Sequence, residues 1–308
     1  MQQARANHEK GANDLTKGFT MPNVSRGEIA ELVKDTDLCT AMANRLTPLI
    51  WESTIPILVE QGDVLRQHGT GTLLQIGERS FLVSAGHVYR DAHKHGMALW
   101  LGGREGGKGI MRLVGNFHCT AASGDNAGPF DLGIRELDRD IVEYLGNYRY
   151  VRLLDVLTDE HCGEDIYCIA GFPTCLATEA KEGEPTANIQ KWFCLSYPIK
   201  DPCELPNYID RYHIVLHGKR TDAVAIGDLD DPMPASLAGI SGSSIWKTNF
   251  AAKPRDSWTP NDAKIVGVQT SVYPKAQAIK GTVWRGVATM IYKVFPELRP
   301  VLDLALPR

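Results

Sequence analysis

The segment LAGISGSSIW (237–246) sets Ser241 among glycines, Gly239-Ile240-Ser241-Gly242, in a turn that leads into an apolar run. Glycines free the backbone for unusual dihedrals, so successive N–H groups can point at one spot. Such a layout suits a nucleophile whose tetrahedral intermediate needs its oxyanion held, here by the N–H groups of Gly239 and Ser241. The string alone is a weak signal, because ordinary glycine-rich turns produce it without any chemistry. A serine nucleophile also needs a base. No histidine follows Ser241; the last of the nine is His217. An elbow of the strand–serine–helix kind, with acid and histidine both later in the chain, is thereby excluded. The base must lie upstream.

FLVSAGHVYRD (81–91) supplies it. His87 ends a β-rich run behind the small residues Ser84, Ala85 and Gly86, which let a ring project into a cleft. Other histidines lie in a charged loop (His93, His95) or in and beside strand runs (His68, His118, His213, His217). Packing or surface roles are the ordinary ones there. GPFDLGIREL (128–137) supplies the acid, with Asp131 at the start of the apolar Leu132-Gly133-Ile134. A carboxylate so placed is partly buried and must be paired. Accepting from the histidine Nδ1–H would fix the tautomer and stabilise the imidazolium. The alternative is an Asp that only ends a loop.

The elements that must position these residues follow from patterning. Residues 1 to about 25 are polar and aperiodic and read as a tail. From Gly27 to Asn44, Ile29, Leu32, Val33, Leu38 and Met42 recur near helical spacing and predict an amphipathic helix. TIPILVE, GTGTLLQIG, RSFLVSAGHV, MALWLGG, IMRLVGNFH and FDLGIREL then form a first set of short β-rich runs, ending near residue 137. After a connecting stretch come DIYCIAGFP, KWFCLSYPI, RYHIVLHG, SSIWKT, KIVGVQTSV and TVWRGVATMIY. Two successive sets of short strands predict an all-β protein of two β-barrels rather than alternating βαβ units. The expected division is a tail and helix over 1–45, a first barrel over 46–150 with His87 and Asp131, and a second over 151–308 with Ser241. The end of the chain has helical potential interrupted by Pro296 and Pro300.

Taken together, the three segments resemble the trypsin/chymotrypsin-like serine proteases and run in that family's order of His, Asp, Ser. FLVSAGHV is similar to its strand ending in Ala-Ala-His, FDLGI to its Asp-Leu/Ile-Ala-Leu, and GISGSS to its Gly-Asp-Ser-Gly-Gly-Pro. GTGTLLQIG, AGFP (170–173), IVGVQTSV (265–272) and RGVATMI (285–291) extend the likeness over about residues 54 to 295. The resemblance implies two packed six-stranded antiparallel barrels, chymotrypsin-like, with helical extensions at both ends of the chain. It also implies peptide-bond hydrolysis through an acyl-enzyme, without cofactor, on a protein or peptide substrate.

Departures narrow the expectation. Ile240 stands where secreted members carry an Asp that pairs with a newly cut N-terminus, and no Ile-Val-Gly-Gly start is present. No cysteine follows His87, so the disulfide common there in secreted members is missing. Ser243 and Ser244 replace the usual Gly-Pro. By the same mapping the base of the primary specificity pocket is Ala235, and Val272 takes the place of a wall glycine. Thr270, Ser271 and Val272 would pair with the substrate backbone. An uncharged base and a narrowed wall imply small or medium uncharged P1 residues.

Composition sets outer bounds. The chain has 308 residues, 43% hydrophobic and 23% charged, with a formal net charge of −4. This suits a globular protein and gives no electrostatic reason to expect nucleic acid or an anionic membrane as partner. The opening MQQARANHEKGANDLTKG lacks the apolar core of a secretion signal, so a cytoplasmic location is expected. Seven cysteines without a tight repeated spacing read as reduced thiols. His161, Cys162, Cys168 and Cys175 lack the CxxC pairs of a zinc site, so no metal is expected. GGREGGKG (102–109) misses the Ser/Thr of a phosphate-binding loop, and GDLDD (227–231) reads as a solvated loop. The competing reading is a silent or latent protease-like module, activated by a regulatory protein partner or by rearrangement of the N-terminal segment.

Overall fold

A computed structural model describes residues 25–62, 64–102, 110–120, 130–157, 163–177, 189–202, 204–219 and 233–305. The tail (1–24), GGREGGKG beyond Gly102, His161, Cys162 and the GDLDD run lie outside the described residues. No described helix is long and apolar enough to cross a membrane.

The first sheet contains β1 (Thr54–Gln61), β2 (Val64–Ile76), β3 (Arg79–Ala85), β4 (Leu99–Gly102), β5 (Ile110–Leu113), β6 (His118–Cys119) and β7 (Leu132–Glu136). Its order is β5-β4-β1-β2-β3-β7-β6, antiparallel throughout. A two-residue strand, β8 (Val151–Arg152), adds a parallel pairing to β2. This sheet therefore has eight described strands rather than six; the additional pairings come from short segments with no periodic signal of their own. The second sheet has the six expected strands: β9 (Tyr167–Gly171), β10 (Trp192–Ser196), β11 (His213–His217), β12 (Ser244–Lys247), β13 (Lys264–Tyr273) and β14 (Ala278–Val283). Their order is β10-β9-β12-β13-β14-β11. A bridge between Pro198 and Leu216 joins the end of β10 to β11, so this sheet curls and closes on itself.

Burial explains why so many strand runs are apolar at every position rather than alternately. In β9, Tyr167 and Ile169 face the interior of the second barrel with Ile214, Ile245 and Ile279. Cys168 and Ala170, which alternate with them, and Ile166 just before the strand face a different core that lies between the barrels. In β3, likewise, Leu82 packs inside the first barrel with Ile55, Leu73 and Leu101. Phe81 and Val83 turn outward to the shared core, where they join Leu132, Ile134, Trp246 and Trp284. Each sheet is thus covered on both faces where the halves meet.

The helices seal the shared core. The single predicted N-terminal helix is two, α1 (Arg26–Lys34) and α2 (Thr36–Trp51), broken at Asp35. Asp35 leaves helical geometry and its carboxylate accepts from the Leu38 N–H, starting the second helix. Ile29, Val33, Leu38, Met42, Leu46 and Ile50 all enter the shared core. Two further helices precede the C-terminal end: α3 (Gly86–Lys94) and α4 (Arg139–Tyr144).

TVWRGVATMIY is strand only through Val283; α5 (Trp284–Val294) follows. Trp284, Val287, Ala288 and Ile291 are buried at helical spacing, a period that the β-branched residues running on from Thr282 and Val283 obscure. Pro296 interrupts as expected, opening a 3-10 turn (Pro296–Leu298), whereas Pro300 does not: it lies in the first turn of α6 (Arg299–Ala305), where the missing N–H has no helical partner to lose. The five described cysteines are free thiols; burial pushes Cys39 up to about 12. Cys168 is buried whereas Cys175 is exposed, and no metal-holding cluster occurs among the described residues.

Candidate active site

The three candidate residues come from three junctions at the meeting of the barrels. β3 stops at Ala85, whose extended backbone (φ −69°, ψ 142°) caps α3, so His87 sits in the first turn of a helix rather than at a strand end. Asp131 immediately precedes β7, the antiparallel partner of β3, whose first residue Leu132 pairs with Ala85. The Gly86 N–H donates to the Asp131 carbonyl at 2.8 Å. Strand pairing therefore sets the carboxylate beside the start of α3.

The His87–Asp131 pair is complete. Asp131 Oδ2 lies 2.6 Å from His87 Nδ1, and Oδ1 accepts the His87 backbone N–H at 2.9 Å. An ionised carboxylate can only accept, so the ring proton sits on Nδ1 and Nε2 is left free to act as base. Oδ1 also accepts from Arg90 Nη2 at 2.5 Å. The Asp131 side chain is 5% exposed and the His87 ring 33%. Burial pushes the Asp131 carboxyl up, but hydrogen bonds and charge from His87, then from Arg90, hold it below its ordinary value.

Ser241 occupies a turn between two left-handed glycines, Gly239 (φ +95°) and Gly242 (φ +97°). The turn is bound from three sides. Gly242 N–H donates to the Gln269 carbonyl, and Gln269 N–H to the Ser243 carbonyl, both at 2.8 Å, fixing the turn to β13. Thr174 N–H donates to the Ala238 carbonyl at 2.7 Å, fixing it to the AGFP turn. From the first barrel, Thr70 N–H donates to the Ser241 carbonyl (2.9 Å) and Thr70 Oγ1 to the Gly239 carbonyl (2.8 Å). The same Oγ1 accepts from Phe172 N–H, and the Thr70 carbonyl accepts from Ser84 Oγ at 2.7 Å. Thr70 thus ties the serine turn to the strand that ends two residues before His87. With the Gly239 carbonyl held toward Thr70, the N–H groups of Gly239 and Ser241 donate to nothing among the described residues. Two donors at the serine, its own N–H and that of Gly239, are therefore unpaired among the described residues.

No hydrogen bond joins Ser241 to His87 among the described residues. Such contacts are often long without substrate and tighten on binding. Thr270 is buried at a bulge between β13 and β14, with its hydroxyl unpaired. Ser271 and Val272 are half-buried along the same strand, and Ala235 is exposed on the segment entering the serine turn. Thr70, Gln269 and Arg90 carry no role in the sequence pattern, and Ser84 figures there only as a small neighbour of His87. Polarity is a signal for two of them, since Ser84 and Gln269 interrupt the apolar runs FLVSA and IVGVQ and are fully buried.

No protein-family model matches the sequence, and no curated protein does. Among solved structures, three proteases are similar to the chain over most of their own length. A Glu endopeptidase is 15% identical over 82% of this chain and 93% of its own, with a TM-score of 0.47. A thermostable serine protease, AL20, from an extremophilic microorganism is 10% identical over 78% and 94%, also at 0.47. The protease Anisep from Arthrobacter nicotinovorans is 13% identical over 78% and 94%, at 0.45. In its two curled antiparallel sheets the chain resembles the chymotrypsin-like serine proteases.

Proposed function

We propose that the protein is a serine endopeptidase using Ser241, His87 and Asp131. The 2.6 Å contact of His87 with the buried Asp131, beside a serine turn whose two N–H groups are unpaired among the described residues, carries this reading. His87 Nε2 takes the Ser241 proton as Oγ attacks the substrate carbonyl, and Asp131 stabilises the imidazolium. Gly239 and Ser241 N–H groups hold the tetrahedral oxyanion. The imidazolium then protonates the leaving amine, and water deacylates the serine by the same route.

The missing Ser241–His87 hydrogen bond favours one second reading, a latent module that a protein partner switches on. Labelling with a fluorophosphonate probe tests both. Modification of the wild type, lost in Ser241→Ala and in His87→Ala, is the expected result. An unlabelled wild type sinks the simple endopeptidase, and labelling gained only with a partner supports latency.

Ala235 and Val272 support a preference for small or medium uncharged residues at P1. A peptide-library profile led by Arg or Lys at P1 would overturn the preference.

A further inference from the structure

Asp131 has a partner beyond the imidazole. His87 and Arg90 stand three residues apart on α3 and so share one helix face. Arg90 Nη2 donates to Asp131 Oδ1 at 2.5 Å, and Nη1 to the Thr120 carbonyl at 3.3 Å, just past β6. The absence of a side chain at Gly86 makes this fork fit. A Cβ there would lie 2.5 Å from Arg90 Nη1, 2.8 Å from the Leu132 carbonyl and 3.0 Å from Asp131 Oδ1. Glycine, helix start and arginine form one device. The guanidinium is a quarter exposed, so the pair is screened only in part.

We propose that Arg90 is a positioning residue: it clamps the Asp131 carboxylate between α3 and β6 and shares its charge with His87, moving the acid limb of activity to lower pH. The inference rests on the endopeptidase reading for its catalytic consequence. A carboxylate neutralised in part by a fixed cation stabilises an imidazolium less, so the base stays unprotonated further into the acid range.

The other titratable groups facing the pair leave Arg90 as the close cation. Cys119 on β6 is pushed up to about 11 by burial and stays neutral, and its thiol donates to the Gly86 carbonyl. His68 on β2, which faces His87, is held below its ordinary value by burial; Asp91 and His95 of the α3 region act on it in turn. Lys280 on β14 feels Asp131 but makes its hydrogen bond to the Asn207 carbonyl. Burial lowers the Lys280 ammonium, and the Asp131 charge opposes that.

The test follows the His87 ring proton by NMR from about pH 4 to 9, alongside the kcat/KM profile. In Arg90→Gln both midpoints should rise by about one pH unit. Arg90→Lys keeps the charge and should stay within a few tenths of a unit of the wild type. Arg90→Met preserves the aliphatic stem and stands in if the Gln variant does not fold. An unmoved imidazole midpoint in a folded neutral variant overturns the clamp. If the wild type cleaves nothing and takes no probe, the endopeptidase reading fails, while the imidazole midpoints still decide the role of Arg90.

Discussion

Asp131→Asn is expected to leave the fold standing and to cut kcat/KM by about four orders of magnitude. The asparagine carbonyl can keep the place of Oδ1 and accept from the His87 backbone N–H and from Arg90. Its amide then faces His87 Nδ1 as a donor, where Oδ2 had accepted at 2.6 Å. The ring must present a lone pair there and carry its proton on Nε2, so it no longer takes the Ser241 proton. Arg90 also loses its counter-charge.

The pH dependence of stability gives the variant a second signature. The Asp131 carboxyl lies below its ordinary value in the folded chain, so its stabilisation is present above the unfolded value. It is lost as pH falls below about 4 toward the folded value. Wild-type thermal stability should therefore drop more steeply across that acid range than that of Asp131→Asn. Peptide hydrolysis and melting curves read the two effects separately. Near-wild-type kcat/KM in the folded variant would remove Asp131 from the mechanism.

The placement of His87 beside Asp131 was legible because each lies in a short run whose character changes at that residue, and β3–β7 pairing does the rest. The two barrels were legible from strand spacing alone. Arg90 was not, although it stands three letters after His87. Its relation to the pair depends on α3 beginning at Gly86, and the run FLVSAGHV reads as strand throughout. Thr70 was hidden for a different reason. Its hydrogen bonds to Gly239, Ser241, Phe172 and Ser84 all cross long stretches of sequence, and a threonine inside GTGTLLQIG looks like any strand residue. The doubled apolar faces of β3 and β9 follow the same logic: periodicity reports that a strand is buried on both sides, not by what. Local patterns carry residue type and element type, whereas the joint between the halves is made of contacts that no local pattern encodes.

That joint makes Gly242→Ala the more destructive of two superficially equal changes. Gly242 and Gly77 both have positive φ, +97° and +61°. An alanine costs about 1 kcal/mol or more for that backbone at either site. At Gly77, in the β2–β3 turn, a Cβ meets nothing within 4 Å. At Gly242 it would lie 2.0 Å from the Thr70 carbonyl oxygen and 2.1 Å from Ser84 Oγ, with Ser84 Cα at 2.9 Å. The obstruction is mostly backbone and cannot rotate away. The serine turn must withdraw from β2 and β3, breaking the Thr70–Ser241 and Thr70–Gly239 hydrogen bonds that orient the Gly239 and Ser241 N–H groups, the proposed oxyanion donors. Losing one such donor alone costs about 10²–10³ in kcat, and here both move together. Gly77→Ala should therefore lower the melting temperature modestly and label with a fluorophosphonate at the wild-type rate. Gly242→Ala should lose more stability, by about 2–3 kcal/mol beyond the control, and its labelling should fall at least a hundredfold. Equal melting temperatures and equal labelling rates for the two variants would show that Ser241 does not rest against Thr70 and Ser84.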